Sequence, residues 1–580
     1  MSSSRASSSP SSSPASPSPA PGHSRTPSIS KLTPETRKQL ATFSIHSTIF
    51  LSLISLRILN AVTNRTFFQP DEYFQSLEPA WDAAFGDGAW VTWEWQQQLR
   101  SFLHPAIFAV LFKSVNFLCN LLHLSPQRTA DFLAISPRIL QAIFCALGDW
   151  STARLAGRLW GSDVGWIALC LSLGSAWQWF CGVRTFANSL ETVITGVGLG
   201  LWPWELVASM GVKRRVDWVE TRWALAAAAT ACVLRPTNVL IWGCLGAFAV
   251  VNAGRRRVRL VVEAVWIGLT VLSLNALIDR AYYGVWTFPP LTFLKFNVLH
   301  SLSVFYGSNP IHYYLSQGLP LLLTSFLPLT LFALYRSLSS PPTSPSFQLA
   351  STVLAVTTIY SCISHKEARF LYPLLPILHV LAANTLQNLR ISDSVRNRIL
   401  VVMIALNIPV AYYGSMVHQR GVIDVMAHLS STSDSWNSAG FLMPCHSTPW
   451  RASMPLPISS DRKMWALTCE PPVTLSVEER RTYVDEADQF YNNPKGFVRW
   501  YVGDGKRYEW PDRIVAFEDL GDVNSLIPVV SGTSALSGTG LPGLPGVSSY
   551  EVCWRGFNSH WHDDWRRRGE VVVWCRKSLK

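Results

Sequence analysis

Apolar runs separated by short polar breaks fill the chain from Ala41 to about residue 415. The first run, Ala41 to Val62, has the roughly 20 residues that a helix needs to cross a bilayer. Others follow at about 102–124, 132–149, 163–182, 187–209, 222–234, 237–253, 259–278, 317–335, 348–364, 370–388 and 397–415. The apolar block from 222 to 253 is too long for one span. Arg235-Pro236-Thr237-Asn238 breaks it, so two helices with a turn at Arg235 are predicted. Residues 1–30 are Ser/Pro-rich without an apolar run, which predicts disorder. Beyond about residue 425 the pattern becomes polar with Pro/Gly breaks. It predicts strands at Arg513–Glu518, Tyr550–Phe557 and Glu570–Lys577, and a Ser/Gly/Pro loop over 531–549.

This pattern predicts a mainly α, polytopic membrane protein with about 11–13 membrane segments. Three parts follow: a cytosolic tail over 1–40, a membrane domain over 41–424, and a small α+β soluble domain over 425–580. Composition agrees. Of 580 residues, 48% are hydrophobic and 15% charged, against roughly 25% charged in a soluble domain. A soluble enzyme and a disordered chain are both excluded. The net charge of +12 does not point to nucleic acid. Its basic residues cluster between apolar runs, as in Lys213-Arg214-Arg215 and Arg255-Arg256-Arg257, where they set topology. Lys31, Arg37 and Lys38 precede the first span and place the N-terminus in the cytosol, so residue 64 is expected in a lumen. Later crossings bring 279–316, 364–369 and the tail to the lumen. Parity does not close over 102–182, so one stretch there is expected to be re-entrant or to lie along the membrane. Of the eleven Cys, Cys445, Cys469, Cys553 and Cys575 lie in the tail. An even number in an oxidising compartment suits disulfides, with the pairing open.

Candidate chemistry gathers on the luminal side. Asp71 and Glu72 follow the first span, and two acids at a membrane surface are costly unless solvated or used. A Pro followed by acids also makes a good first helical turn. His365, Lys366 and Arg369 lie between two spans, where a basic luminal cluster is anomalous and suits a phosphate. Arg184 and Arg235 sit at other luminal ends. Tyr306, His312 and Tyr313 lie in an aromatic-rich luminal loop. His560-Trp561-His562-Asp563-Asp564 is a loose match to a metal site, and HExxH, Walker and GxSxG motifs are absent. No metal and no cofactor are expected.

FFQPDEYFQSLEPAW and HKEARFLYP resemble the dolichyl-phosphate-mannose-dependent mannosyltransferases of the GT-C superfamily. RTFANSLE, LRPTN, DRAYYG, FYGSNPIHYY and LMPCHSTPW are similar to its glycosylphosphatidylinositol (GPI) branch, above all to members that add the third mannose. Those members often have Trp before the loop His, where this chain has Ile311. The resemblance covers about residues 64–475. It implies a GT-C-type helical bundle with luminal loop helices in the endoplasmic reticulum membrane. It also implies inverting α1,2-transfer of mannose from dolichyl phosphate mannose to the second mannose of the GPI glycolipid precursor. Asp71 is then the expected base, with Glu72 next. His365, Lys366, Arg369, Arg184 and Arg235 are expected to meet the donor phosphate. Tyr306, His312 and Tyr313 are expected to meet the acceptor. Competing readings are addition of the fourth GPI mannose, transfer to a lipid-linked oligosaccharide, a lipid-linked sugar transporter, and a non-catalytic assembly subunit.

Overall fold

Each apolar run becomes a helix or a pair of helices, and the polar residues before them supply the starts. Ser125, Asp217, Ser344 and Ser392 accept backbone N–H groups as N-caps of Pro126–Trp160, Trp218–Leu234, Pro345–Ser361 and Asp393–Met416. Pro occupies the first turn of two of these, where its missing N–H costs nothing. The structure is a computed structural model that describes residues 34–86, 88–208, 216–296, 305, 307–458, 460–473, 475–476, 478–527 and 549–577. Residues 1–30, Tyr306 and nearly all of the 531–549 loop lie outside the described residues. The chain divides into two units, 1–51 and 52–580. Among the described residues the first holds only helical positions 34–51.

Among the described residues, seven helices are long and apolar enough to cross a membrane: His46–Thr63, Leu103–Leu121, Pro126–Trp160, Gly254–Tyr283, Tyr314–Leu338, Ala368–Gln387 and Asp393–Met416. Shorter helices interleave with them at Ser162–Leu173, Ala187–Leu201, Trp218–Leu234, Pro236–Asn252 and Pro345–Ser361. The Arg235 break is present, with a 3₁₀ turn at Pro236–Asn238. Ala368–Gln387 is the most enclosed span, while Gly254–Tyr283 and Asp393–Met416 have few fully buried residues. The 163–182 stretch departs from a simple span. It breaks at Gly174-Ser175 into Ser162–Leu173 and Ala176–Cys181. The longer piece rises only about 18 Å, short of the hydrocarbon core.

A charged network crosses this bundle where the sequence pattern shows only apolar runs. Arg57 donates to both carboxylate oxygens of Asp149, at 2.7 and 3.0 Å, and neither side chain is exposed. Ser172 and Gln178 also donate to Asp149. The Gln178 carbonyl accepts from the Tyr372 hydroxyl at 2.7 Å. Five separate helical segments are thereby tied together, and the last is the one that carries Arg369.

The tail folds as a five-stranded sheet of order β2-β1-β3-β5-β4. The strands are β1 (Ser438–Phe441), β2 (Lys463–Ala466), β3 (Arg513–Phe517), β4 (Tyr550–Gly556) and β5 (Val571–Arg576). β1 pairs in parallel with β2 and β3, while β5 runs antiparallel to β3 and β4. The three predicted strands are present, and the two others are only four residues long. Disulfides join Cys445 to Cys469 and Cys553 to Cys575, the second across a register shift between Val552 and Trp554. One face of the sheet, through Phe441, Val515, Phe517, Val571 and Val573, shares a hydrophobic core with Tyr73, Phe74, Leu77 and Trp81 of the first loop. Buried Glu78 pins this joint by accepting the backbone N–H groups of Trp90 and Ala452. Burial outweighs those bonds and pushes its carboxyl up to about 8.

Two outcomes are expected. Asp149→Ala strips Arg57 of its partner and should cost about 3–5 kcal/mol, read as a lower unfolding midpoint in detergent. The double variant Arg57→Met, Asp149→Leu should lose clearly less, because no charge is left unpaired. Non-reducing peptide mapping should recover the 445–469 and 553–575 pairs, with Cys119, Cys145, Cys170, Cys181, Cys232, Cys244 and Cys362 unlinked. A 445–553 cross-link would reassign the frame of the tail.

Candidate active site

Pro70 opens a helical turn that runs into a π-helical turn at Tyr73–Leu77 and then the helix Glu78–Phe85. Neighbouring residues on such a turn face about 100° apart. The two acids accordingly go to different places. Glu72 is buried, 3.1 Å from Arg184. Asp71 lines a cavity of about 590 Å³ and pairs with Arg369 through Oδ2. Among the described residues no hydrogen bond reaches its Oδ1.

Arg184 lies behind the cavity wall. It donates to the Thr66 and Phe180 carbonyls, the Asn64 and Thr66 side chains, and Glu72. Its whole fork is used to fasten the segment before Asp71 to the segment before the 187–201 helix.

Arg369 is held from two sides. Its Nε and Nη2 donate to Glu367 at 2.6 and 2.8 Å, and its Nη1 donates to Asp71. Burial alone would raise the Glu367 carboxyl, but the Arg369 charge and the His365 hydrogen bond hold it well below the usual range. Both ring nitrogens of His365 face oxygens, Glu367 at 3.1 Å and the Gly307 carbonyl at 2.9 Å. Meeting two acceptors takes two N–H groups, which is the imidazolium. Burial pulls His365 down, but these two partners carry it above the ordinary histidine value. Gly307 presents its carbonyl from φ +107°, a backbone that residues with a Cβ rarely adopt. Lys366 is buried and donates to the Asn309 carbonyl at 2.8 Å, while the Asn309 amide donates back to the Lys366 carbonyl. The 307–313 loop is thus clasped to the 364–370 turn.

Asp71, Arg235, Tyr313, His365, Lys366 and Arg369 all line the cavity. Glu72, Arg184 and His312 do not; the exposed His312 ring meets Ser316 on its own turn. Several lining residues carry no expectation from the sequence. Glu367 was visible in the HKEARF element but had no assigned task. Arg100 lines the cavity paired with Glu94 at 2.9 Å, in a Trp/Gln-rich segment whose pattern carries no signal. The DRAYYG element fixes that segment: Asp279 accepts from Phe102 N and Ser101, and the Tyr283 hydroxyl donates to the Arg100 carbonyl at 2.7 Å.

The tail closes the remaining wall through Cys445, His446, Cys469 and Arg567. His446 packs its ring 4.4 Å from Phe74 and 4.7 Å from Trp90. Burial lowers it to about 4, so the ring is neutral. Cys445, His446 and Cys469 bring three metal-ligating groups together, but the two sulfurs are joined to each other. In the 560–564 run, His560 meets Tyr413, Asp564 N donates to His562, and the Asp564 carboxylate pairs with Arg566. These groups are committed to packing.

Three carboxylates on the cavity, Asp71, Glu94 and Glu367, are each oriented by a guanidinium, in surroundings where cationic side chains outnumber acids. That arrangement can accept a proton and stabilise a developing anion. Comparison with known proteins gives the context. The model of the Alg9-like mannosyltransferase family matches residues 48–455. GPI mannosyltransferase 3 of Aspergillus fumigatus is 40% identical, aligned over 94% of this chain and 79% of that protein. GPI alpha-1,2-mannosyltransferase 3 of Mus musculus is 37% identical over 90% of this chain and 88% of that protein. In fold, the chain is similar to ArnT from Cupriavidus metallidurans bound to undecaprenyl phosphate. The TM-score is 0.56 at 12% identity, covering 92% of this chain and 98% of that one. That likeness extends the GT-C-type fold over nearly all of the chain, and the family match runs from the first span through every membrane-side loop of the cavity: the chain belongs to the Alg9-like mannosyltransferase family, a family of glycosyltransferases.

Proposed function

We propose that the chain adds the third mannose of the GPI anchor. It would transfer mannose from dolichyl phosphate mannose to the 2-hydroxyl of the second mannose of the GPI glycolipid precursor, with inversion. The observation that carries this reading is the Asp71 carboxylate, fixed through one oxygen by Arg369 and open through the other in a cation-rich cavity. The acceptor hydroxyl gives its proton to Asp71 Oδ1 as its oxygen bonds to the mannosyl carbon. The bond from that carbon to the phosphate oxygen breaks, and both electrons leave with dolichyl phosphate. A phosphate leaving group needs no general acid, only stabilisation of its growing charge. The wall of His365, Lys366, Arg369 and Arg235 supplies a positive field for it. Tyr313 lines the same space, and in this reading it meets the acceptor. Glu72 and Arg184 act from behind the wall by holding the Asp71 segment.

The same reading makes the chain a resident of the endoplasmic reticulum membrane among its lipids, with the cavity luminal. Residues 1–40 are then cytosolic, 41–424 the membrane catalytic domain and 425–580 a luminal domain. Both substrates are lipids, which requires a cavity at the bilayer surface.

Depleting the protein should accumulate a GPI precursor with two mannoses, and the wild-type chain should clear it. Asp71→Asn keeps the shape but not the proton acceptor, so purified turnover should fall by about two to four orders of magnitude. Accumulation of a precursor with three mannoses, or normal turnover by Asp71→Asn, would overturn the assignment. Topology has its own check. Asp504 and Lys506 lie in an exposed turn of the tail, so Asp504→Asn with Lys506→Thr creates an accessible glycosylation sequon. The variant should gain a glycan removable by endoglycosidase; a tail cut by protease outside sealed microsomes would place the cavity in the cytosol.

A further inference from the structure

We infer that Arg100 and Arg235 are the side chains that grip the phosphate of the lipid-linked donor, with Glu94 positioning Arg100. This deepens the proposed reaction and rests on its donor class. The starting observation is that the 364–370 element has few N–H groups to give. Arg369 has Nε, Nη1 and Nη2 on carboxylates, His365 has both nitrogens on oxygens, and Lys366 is drawn to the Asn309 carbonyl. These groups set a positive field but are committed to one another.

Two other guanidiniums on the cavity are not. Among the described residues, the Arg235 side chain makes no hydrogen bond. Its Nε stands 3.8 Å from Glu191, and its guanidinium lies 5.8 Å from the centre of the Phe370 ring. Arg100 gives Nη2 to Glu94, while its Nε is buried with no partner. A buried donor left unpaired is costly, and native proteins rarely keep one without a use. Arg100 is also unusually well placed for a loop residue. Its own carbonyl is fixed by the Tyr283 hydroxyl, and the next two residues are bound by Asp279. Tyr282 stacks on Phe102 at 3.9 Å. Glu94 is itself steadied by Gln75 at 3.3 Å.

The charges also call for an anion. Arg100, Arg235 and Arg369 all line this one cavity, where like charges repel. Asp71 and Glu94 offset part of that charge. A phosphodiester brings two non-bridging oxygens, which suit the planar fork of arginine. When the bond from the mannosyl carbon to the phosphate oxygen breaks, the departing phosphate gains a second negative charge. Fixed guanidiniums favour that state over the ground state.

The test uses the full-length purified enzyme and separate donor and acceptor titrations, with dolichyl phosphate as a product inhibitor. Arg100→Gln should raise the donor KM and the dolichyl phosphate inhibition constant at least about tenfold, the size of a lost charge-assisted hydrogen bond. The acceptor KM and the unfolding midpoint should stay near wild type. Arg100→Lys and Arg235→Lys should give intermediate inhibition constants, because the charge remains and the fork does not. Glu94→Gln keeps an oxygen that can accept from Arg100 while it removes a negative charge beside the phosphate, so dolichyl phosphate should bind more tightly, an effect that a merely structural role would not produce. Arg100 variants that bind dolichyl phosphate like wild type, or that change only the acceptor KM, overturn the inference. Looser binding by Glu94→Gln overturns the role of Glu94. A wild-type enzyme insensitive to dolichyl phosphate would instead bring down the donor reading beneath it.

Discussion

Arg369 is shared between Asp71 and Glu367, and the rest of the site depends on how that charge is held. A guanidinium largely removed from water must have its charge matched and its N–H groups met. Two carboxylates do this from different parts of the chain, nearly 300 positions apart. One partner, Glu367, belongs to the same turn and locks the fork. The other, Asp71, arrives from the first loop and is oriented by the encounter. Removing either would leave the second carboxylate or the arginine unbalanced. The first loop and the 364–370 turn are therefore positioned by charge, and the apolar core builds around that constraint.

The membrane interior serves the same end. Arg57, Asp149, Gln178 and Tyr372 form a chain of polar contacts that ends three residues beyond Arg369. Charged groups inside an apolar bundle are expensive, and a pair persists only where its geometry satisfies both partners. Here the bidentate contact does so. It gives the turn that carries Arg369 a rigid footing at a depth where apolar packing alone would let helices slide. The Asn309–Lys366 clasp does the equivalent work on the opposite side, using backbone carbonyls rather than ions.

The helices were legible because their apolar runs are long and their caps are spelled out by Ser, Asp and Pro. The Arg235 break was legible because Pro236 cannot continue a helix. The two shortest strands were not, since four residues leave no alternation to read. In the site, Asp71 and the 365–369 element stood out as charges in unlikely places. Their division of labour did not. Nothing in the order of residues tells that Glu72 turns inward to Arg184 while Asp71 faces the cavity, because adjacent positions differ only by a rotation about the helix axis. Arg100 and Glu94 sit in an ordinary polar stretch, and their meeting with Asp71 is a product of tertiary contacts. The walls contributed by His446 and Arg567 come from the tail, which looks like an independent soluble addition by composition. Its sheet instead shares a core with the first loop.

That shared wall has a consequence for the timing of biosynthesis. Lining residues run from Gln69 to Arg567, so the cavity is bounded by nearly the first and nearly the last parts of the chain. A ribosome that has just finished Arg369 must add about 200 more residues to reach Arg567, which takes about 10–40 s at ordinary elongation rates. During that interval Asp71 and the basic turn can already be inserted, yet the side formed by Cys445, His446, Cys469 and Arg567 does not exist. The Cys445–Cys469 disulfide is part of that late-made side. The cavity therefore cannot be whole before the tail has been made. By the same logic, a stop placed between Met416 and Cys445 would leave the membrane helices found among the described residues in place and still deliver an unfinished cavity.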